Sequence, residues 1–134
     1  MASTFCTVDH TPQSGEAVRV AVERAARHGD EIRFVGVVKP FTDAAGPAYG
    51  ERVRRFGLVE INLVHACRAA RAAGLDPTLE RRFGEPLSES VAAADEIGAG
   101  EIVLAEPKGL FQTRANVVTV TRPQRERRQL ALVA

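Results

Sequence analysis

The spacing of apolar residues changes repeatedly along this chain, and each change marks an element. Thr4 to Val8 (TFCTV) is an apolar, β-branched run followed by the turn residues Asp9, His10, Thr11 and Pro12, which predicts a first strand. A helix is expected from Pro12, with Thr11 as its N-cap. Val18, Ala21, Val22 and Ala25 recur at helical spacing, Arg19, Glu23, Arg24 and Arg27 fall largely on the other face, and Gly29 stands where a C-cap belongs. Ile32 to Val38 (IRFVGVV) is nearly continuous in its apolar character, as a strand covered on both faces should be, and Pro40 ends it. The Gly-, Ala- and Pro-rich loop FTDAAGPAYG, from Phe41 to Gly50, leads into a long helix over Glu51 to Ala73. Its apolar stripe is read as Val53, Phe56, Leu63, Cys67 and Ala70; Gly74 stops it, and Leu75 offers the apolar contact that accompanies such a stop.

Thr78 to Phe83 (TLERRF) reads as a third strand. Its charges, Glu80, Arg81 and Arg82, argue for an edge position, where they discourage aggregation. Gly84, Glu85 and Pro86 turn the chain into a helix carrying Leu87, Val91, Ala94 and Ile97 at spacings of three and four, and Gly98-Ala99-Gly100 ends it. Glu101 to Ala105 (EIVLA) is a fourth strand. Strands alternating with helices demand parallel pairing, because a parallel crossover needs a helix, and right-handed crossovers put helices on both faces of the sheet. Ligands of such sheets bind at the carboxyl ends of the strands. Two later segments qualify as a last strand: Asn116 to Thr121 (NVVTVT), with high strand propensity, and Leu130 to Ala134 (LALVA). In the second case Pro123 begins a short helix capped by Thr121, and this is the preferred assignment for a reason of register given below.

The chain is 134 residues long, one domain's worth, so 1–134 is read as a single domain. Aromatic residues are scarce, at 5% with no Trp, so Val, Leu, Ile and Ala must build the core, which suits parallel strands between Ala-rich helices. The net charge of +1 argues against nucleic acid as a partner, and the locally basic stretch Arg122 to Arg128 (RPQRERR) is read as a solvated face or tail. Cys6 and Cys67 have no metal-ligand spacing and are expected as small buried hydrophobes. No apolar run has the length of a membrane span, and Met1 to His10 does not resemble a secretory leader, so no membrane partner and a cytoplasmic location are expected. Three dispersed His residues make a metal site unexpected. Asp9 beside His10 invites a general-base reading, but neighbours on a strand point to opposite faces and no nucleophile is near in sequence. His28 is expected at a helix C-terminus and His65 at a surface or interface. There is no G-x4-G-K-[ST], no G-x-G-x-x-G, no Ser-rich pyrophosphatase loop and no HxGH. No catalytic residue is assigned.

In their order and spacing these pieces resemble the universal stress protein family over nearly the whole chain. They are a first strand ending Val8-Asp9, a second ending FVGVVKP, a long second helix ending Ala-Gly, the Gly84-x-Pro86 turn, and Gly98-Ala99-x-Glu101-Ile102-Val103-Leu104. The resemblance implies an α/β fold: an open, parallel five-stranded sheet of order 3-2-1-4-5, adenine nucleotide alpha hydrolase-like, with dimers formed through the last strand. It also implies a nucleotide pocket, in which Asp9 and Val37 match the residues on the adenosine side. Nucleotide-binding members carry G-x2-G-x9-G-[S/T] after the fourth strand. Glycines there let backbone N–H groups approach phosphate oxygens, and the loop feeds a helix N-terminus that favours anions. An ungapped match puts Ala105, Lys108 and Val118 at the glycine positions and Thr119 at the hydroxyl position, with Gly109 one place out of register. The same register lays LALVA on the family's fifth strand.

The expectation is therefore a stress-associated regulatory protein with no cofactor, not an enzyme, working through homodimerisation and protein contacts and not holding ATP in the family manner. The alternative is a binder of ATP, AMP or a small metabolite in a pocket at the carboxyl ends of strands one and four, formed by Asp9, Val37, Ala105, Lys108 and Thr119. Nucleotide hydrolysis through Asp9-His10 is a third, weaker reading.

Overall fold

A computed structural model describes residues 2–38, 49–105 and 115–120. The elements run β1 (Ser3–Val8), α1 (Gln13–His28), β2 (Glu31–Val38), α2 (Tyr49–Ala72), β3 (Thr78–Phe83), α3 (Pro86–Glu96), β4 (Glu101–Ala105) and β5 (Asn116–Val120). All four strand pairings are parallel, and the order across the sheet is β3-β2-β1-β4-β5, as the resemblance implies.

Connectivity decides which helix covers which face. The chain steps from β1 to β2 to β3 in one direction, so right-handed crossovers lay α1 and α2 on the same side, and the return from β3 to β4 lays α3 on the other. Strand alternation then divides the apolar residues into two layers. Cys6, Val8, Ile32, Phe34 and Val103 pack with Val18, Ala21, Leu63 and Ala66 of α1 and α2. Phe5, Val35, Val37, Ile102 and Leu104 pack with Ala93 and Ala94 of α3. Gly29, Gly74 and Gly98 end the three helices with φ of 67°, 81° and 64°, conformations that cost a residue with a Cβ. After α2 the Leu75 N–H returns to the Ala70 carbonyl at 3.0 Å and the Leu75 side chain packs on the core, the expected stop.

Three expectations are corrected. The α2 stripe facing the sheet is Val59, Leu63, Ala66, Cys67 and Ala70, whereas Val53 and Phe56 are 47% and 37% exposed. The cause is length: 24 residues make a helix of roughly 36 Å, and the eight residues of β2 beneath it span only about 26 Å. The N-cap position of α1 is Pro12, with no side-chain cap, and Thr11 turns its hydroxyl to Asp9 instead. The strand beside β4 is Asn116–Val120 and not the preferred LALVA. Its β-branched residues satisfy both layers, Val117 on the α3 side and Val118 and Val120 on the other. Residues 130–134, the basic stretch 122–128 and all but the end of the 41–50 loop lie outside the described residues.

Both cysteines are buried and unpaired, as expected. Burial pushes the Cys6 thiol far up, and the Asp9 charge adds to it; burial raises Cys67 as well. The thiolate is the reactive form, so neither should react with iodoacetamide at pH 8 in the folded protein, and both should react in denaturant. Intact-mass measurement reads the outcome, and labelling of Cys6 under native conditions would contradict this packing.

Candidate functional site

The carboxyl end of β1 is organised by one side chain. Asp9 Oδ1 accepts from the Thr11 backbone N–H at 2.8 Å, from the Thr11 hydroxyl at 2.5 Å and from the Ser14 hydroxyl at 2.8 Å. Ser14 is 1% exposed, and its oxygen accepts the Asp9 N–H at 2.9 Å. The turn is thus closed by reciprocal bonds between a strand end and the first turn of a helix, the local competition with regular structure at which Asp and Ser excel. From α2, the Asn62 amide donates to the carbonyl of Asp9 at 2.8 Å and to that of Thr11 at 3.4 Å, fastening the turn to the second helix. All three bonds to the Asp9 carboxylate fall on Oδ1.

One residue earlier in the alternation, Thr7 lies opposite Val35 of β2, and by strand alternation its side chain belongs to the α3 face. Its Oγ1 is buried and has no hydrogen-bond partner among the described residues. A buried hydroxyl without a partner costs about 1–3 kcal/mol, so such a group asks for an explanation, and a bound ligand is one.

The other residues singled out from the sequence are dispersed. Val37 is 3% exposed within the α3-side layer, whereas Ala105 packs against the opposite layer, so the two side chains lie on different faces of the sheet. Thr119 stands inside β5 opposite Leu104, and Val118 opposite Val103. Lys108 and Gly109 lie outside the described residues. His10 is exposed, and His28 closes α1 with Nδ1 at 3.9 Å from Asp30 and 4.0 Å from Glu101. Among the described residues no group of three His, Cys, Asp or Glu side chains is arranged to hold a metal, and no helix is long and apolar enough to cross a membrane.

A groove of about 440 Å³ opens between α1 and α2, lined in part by Ser14, Gly15, Val18, Asn62, His65 and Ala66. It touches Ser14 and Asn62, two of the three side chains that hold Asp9, but neither Val37 nor Ala105, so it is not the cavity expected beside those residues. Thr7, Ser14 and Asn62 were not singled out from the sequence. Ser14 had a signal, a small hydroxyl five positions after Asp9 in the first turn of a helix. Asn62 had none, since nothing in the residue pattern links it to a turn 53 positions away.

The chain was compared with known proteins. The family model described as "Universal stress protein family" matches residues 5–119. No curated protein matches the chain. Among solved structures, a universal stress protein in complex with cAMP is 21% identical with a TM-score of 0.69, over 89% of this chain and 96% of that one. A universal stress protein from Archaeoglobus fulgidus in complex with dAMP is 19% identical with a TM-score of 0.66, over 89% and 97%. A protein of the family from Burkholderia pseudomallei is 19% identical with a TM-score of 0.67, over 89% and 95%. At these identities the structures bear on fold, and the family model bears on descent. With its sheet order, its paired layers and a family match over most of its length, this chain belongs to the universal stress protein family.

Proposed function

We propose that this protein is a regulatory member of its family that works through homodimerisation and protein contacts, is not an enzyme, and does not hold ATP in the family manner. One observation carries the ATP part. Val118 and Thr119, the positions that the glycine motif would need at a phosphate-binding turn, are members of the β4–β5 ladder. The Asn116 N–H donates to the Gly100 carbonyl at 3.0 Å, so by alternation the Val118 N–H also points to β4; the Val118 side chain packs into the core, and this residue is not available to a cradle of free N–H groups. Among the described residues β5 is the outermost strand on its side of the sheet, and the last strand is the surface the resemblance implies for the homodimer. Titration calorimetry with ATP is expected to give no saturable heat at micromolar protein. Micromolar ATP binding that disappears in Thr119→Val would overturn the reading.

A second reading has an observation of its own. The unpartnered Thr7 hydroxyl and the Asp9 carboxylate both belong to the end of β1, where sheets of this kind take ligands. Two solved relatives are complexes with cAMP and dAMP. On this reading the ligand is a nucleoside monophosphate or a similar small metabolite. Calorimetry with AMP and cAMP tests it. Thr7→Val removes the hydroxyl at nearly constant shape and should abolish binding without unfolding the protein, whereas Asp9→Ala also removes three turn bonds and needs a circular dichroism control.

A further inference from the structure

The large apolar side chains that remain exposed among the described residues are Val53, Phe56, Ile61, Val64, Leu79 and Phe83, and all of them belong to α2 and β3. All but Ile61, which lies about 100° round α2 from Glu60, gather on one side. In the β2–β3 register Leu79 lies opposite Phe34, Arg81 opposite Gly36 and Phe83 opposite Val38, so Leu79, Arg81 and Phe83 share the face that α2 covers. Arg81 reaches Glu60 of α2 with two hydrogen bonds, one of them 2.8 Å from Nη2, so the flank of α2 carrying Glu60 is turned toward the β3 edge. Val53 lies two turns before Glu60 and Val64 one turn after it, on that same flank. The result is an apolar patch beside β3, the outermost strand on its side among the described residues, and contiguous exposed patches mark interaction sites.

The strand sequence says what fits there. Gly84 N–H points back to the Val38 carbonyl at 3.0 Å, so by alternation the backbone groups of Leu79, Arg81 and Phe83 point outward. A second copy of the chain, turned by a two-fold axis perpendicular to the sheet through Arg81, presents an antiparallel partner to those groups. In that register Leu79 faces Phe83 of the second copy, and Glu80 faces its Arg82. Both apolar positions and both opposite charges are matched at once, on the two faces respectively. Moving the axis to Glu80 sets Glu80 against Glu80 and Leu79 against Arg81, which is unfavourable on both faces. Arg81 meets its own equivalent on the axis, but each is neutralised by its own Glu60. Arg82 is already held by Glu89 and Glu96, both at 2.9 Å, and Glu80 makes the longest of its contacts, 3.4 Å, leaving Glu80 able to turn outward. Pairing the strand edges also brings the two α2 flanks toward each other, and their apolar side chains add to the surface covered.

We infer that β3 and the adjoining flank of α2 form a self-complementary interface, an antiparallel β3–β3 junction centred on Arg81, at the opposite edge of the sheet from the last strand. The sheet becomes continuous across two copies, and an isologous contact of this kind closes on itself. With the last-strand edge also in use, the chain assembles beyond a dimer.

Cysteine scanning of the full chain tests the register. Directly opposed residues of an antiparallel pair have Cα atoms about 4.5–5.5 Å apart, within disulfide range. Under mild oxidation Arg81→Cys is expected to form a disulfide-linked dimer, and so is Leu79→Cys mixed with Phe83→Cys. Leu79→Cys alone, whose equivalents lie four strand positions apart, is expected to stay unlinked. Sedimentation of Phe83→Lys, with circular dichroism to establish that it folds, should show association at the β3 edge weakened at least tenfold. If the wild type associates but Arg81→Cys does not cross-link and Phe83→Lys is neutral, the β3 interface is wrong while the last-strand dimer stands. If the wild type is a monomer at micromolar concentration, both are wrong.

Discussion

Replacing Gly36 by valine is expected to lower the unfolding free energy by about 2–3 kcal/mol, the cost of overpacking a close helix–sheet contact. Gly36 sits in the middle of β2 beneath α2. A Cβ there would come within 2.7 Å of Leu63 Cδ1 and 2.9 Å of Val59 Cγ1, nearer than side chains pack. Alanine adds only that Cβ, so Leu63 and Val59, both buried, must still give way, while the backbone freedom removed from the unfolded chain offsets roughly 0.5–1 kcal/mol of the cost. Gly36→Ala is therefore expected to be mildly destabilised and Gly36→Val clearly more so, by urea denaturation. Leu63→Ala should be costly in the wild type but much less so in the Gly36→Val background, because the two changes share one space. If the valine variant is as stable as wild type, α2 does not lie this close to the sheet.

The second large effect concerns a nearly enclosed acidic side chain at the base of the α1-side layer. Glu101 opens β4 opposite Thr4, with its side chain 8% exposed, and is bonded to Arg24 of α1. Arg24 itself is 32% exposed, so water softens the pair, but the carboxylate has little else. Removing the guanidinium leaves Glu101 buried with only the His28 ring 4.0 Å away. Arg24→Met is expected to cost about 2–3 kcal/mol, at or below the lower end for breaking a buried pair because one partner reaches solvent. Arg24→Met combined with Glu101→Leu should recover most of that loss, since an apolar pair of similar volume needs no solvation. Thermal unfolding of the three variants decides it. A single variant as stable as wild type would mean that Glu101 is solvated in solution.

Other ion pairs are surface features with smaller consequences. Arg19, Arg81 and Arg82 hold the carboxyls of Glu16, Glu60 and Glu96 below their ordinary range, chiefly by direct hydrogen bonds. Their contribution is present above the unfolded carboxylate values and fades as pH falls through the lowered folded ones.

The candidate site was only partly legible in the residues. Asp9 was found because a carboxylate follows an apolar strand at a turn. Its role as the clasp of that turn was not, because it depends on Ser14 folding back from α1 and on Asn62 arriving from α2. Thr7 escaped notice for a related reason: a threonine in a strand is unremarkable until its hydroxyl is known to be buried without a partner. Val37 and Ala105 both lie near strand ends, yet alternation sends their side chains to opposite faces. The motif register misled at the fifth strand. It weighed a degraded glycine pattern above the run of β-branched residues at 117–120, and the β-branched run is what pairs with β4.

By itself the residue pattern determined the order of the first four strands and the three helices between them, the glycine stops, the buried cysteines and the edge position of β3. All of these follow from spacing, backbone freedom and charge within a few neighbouring residues. The order of strands across the sheet was implied only by family resemblance. What tertiary structure alone decided is where those elements meet: that α2 outruns the sheet and leaves Val53 and Phe56 exposed, that Gly36 admits α2 so closely, that Arg24 and Glu101 join across 77 positions, and that Asn116–Val120 completes the sheet. Each depends on residues far apart in the chain being brought to one place, and local periodicity carries no information about distance of that kind.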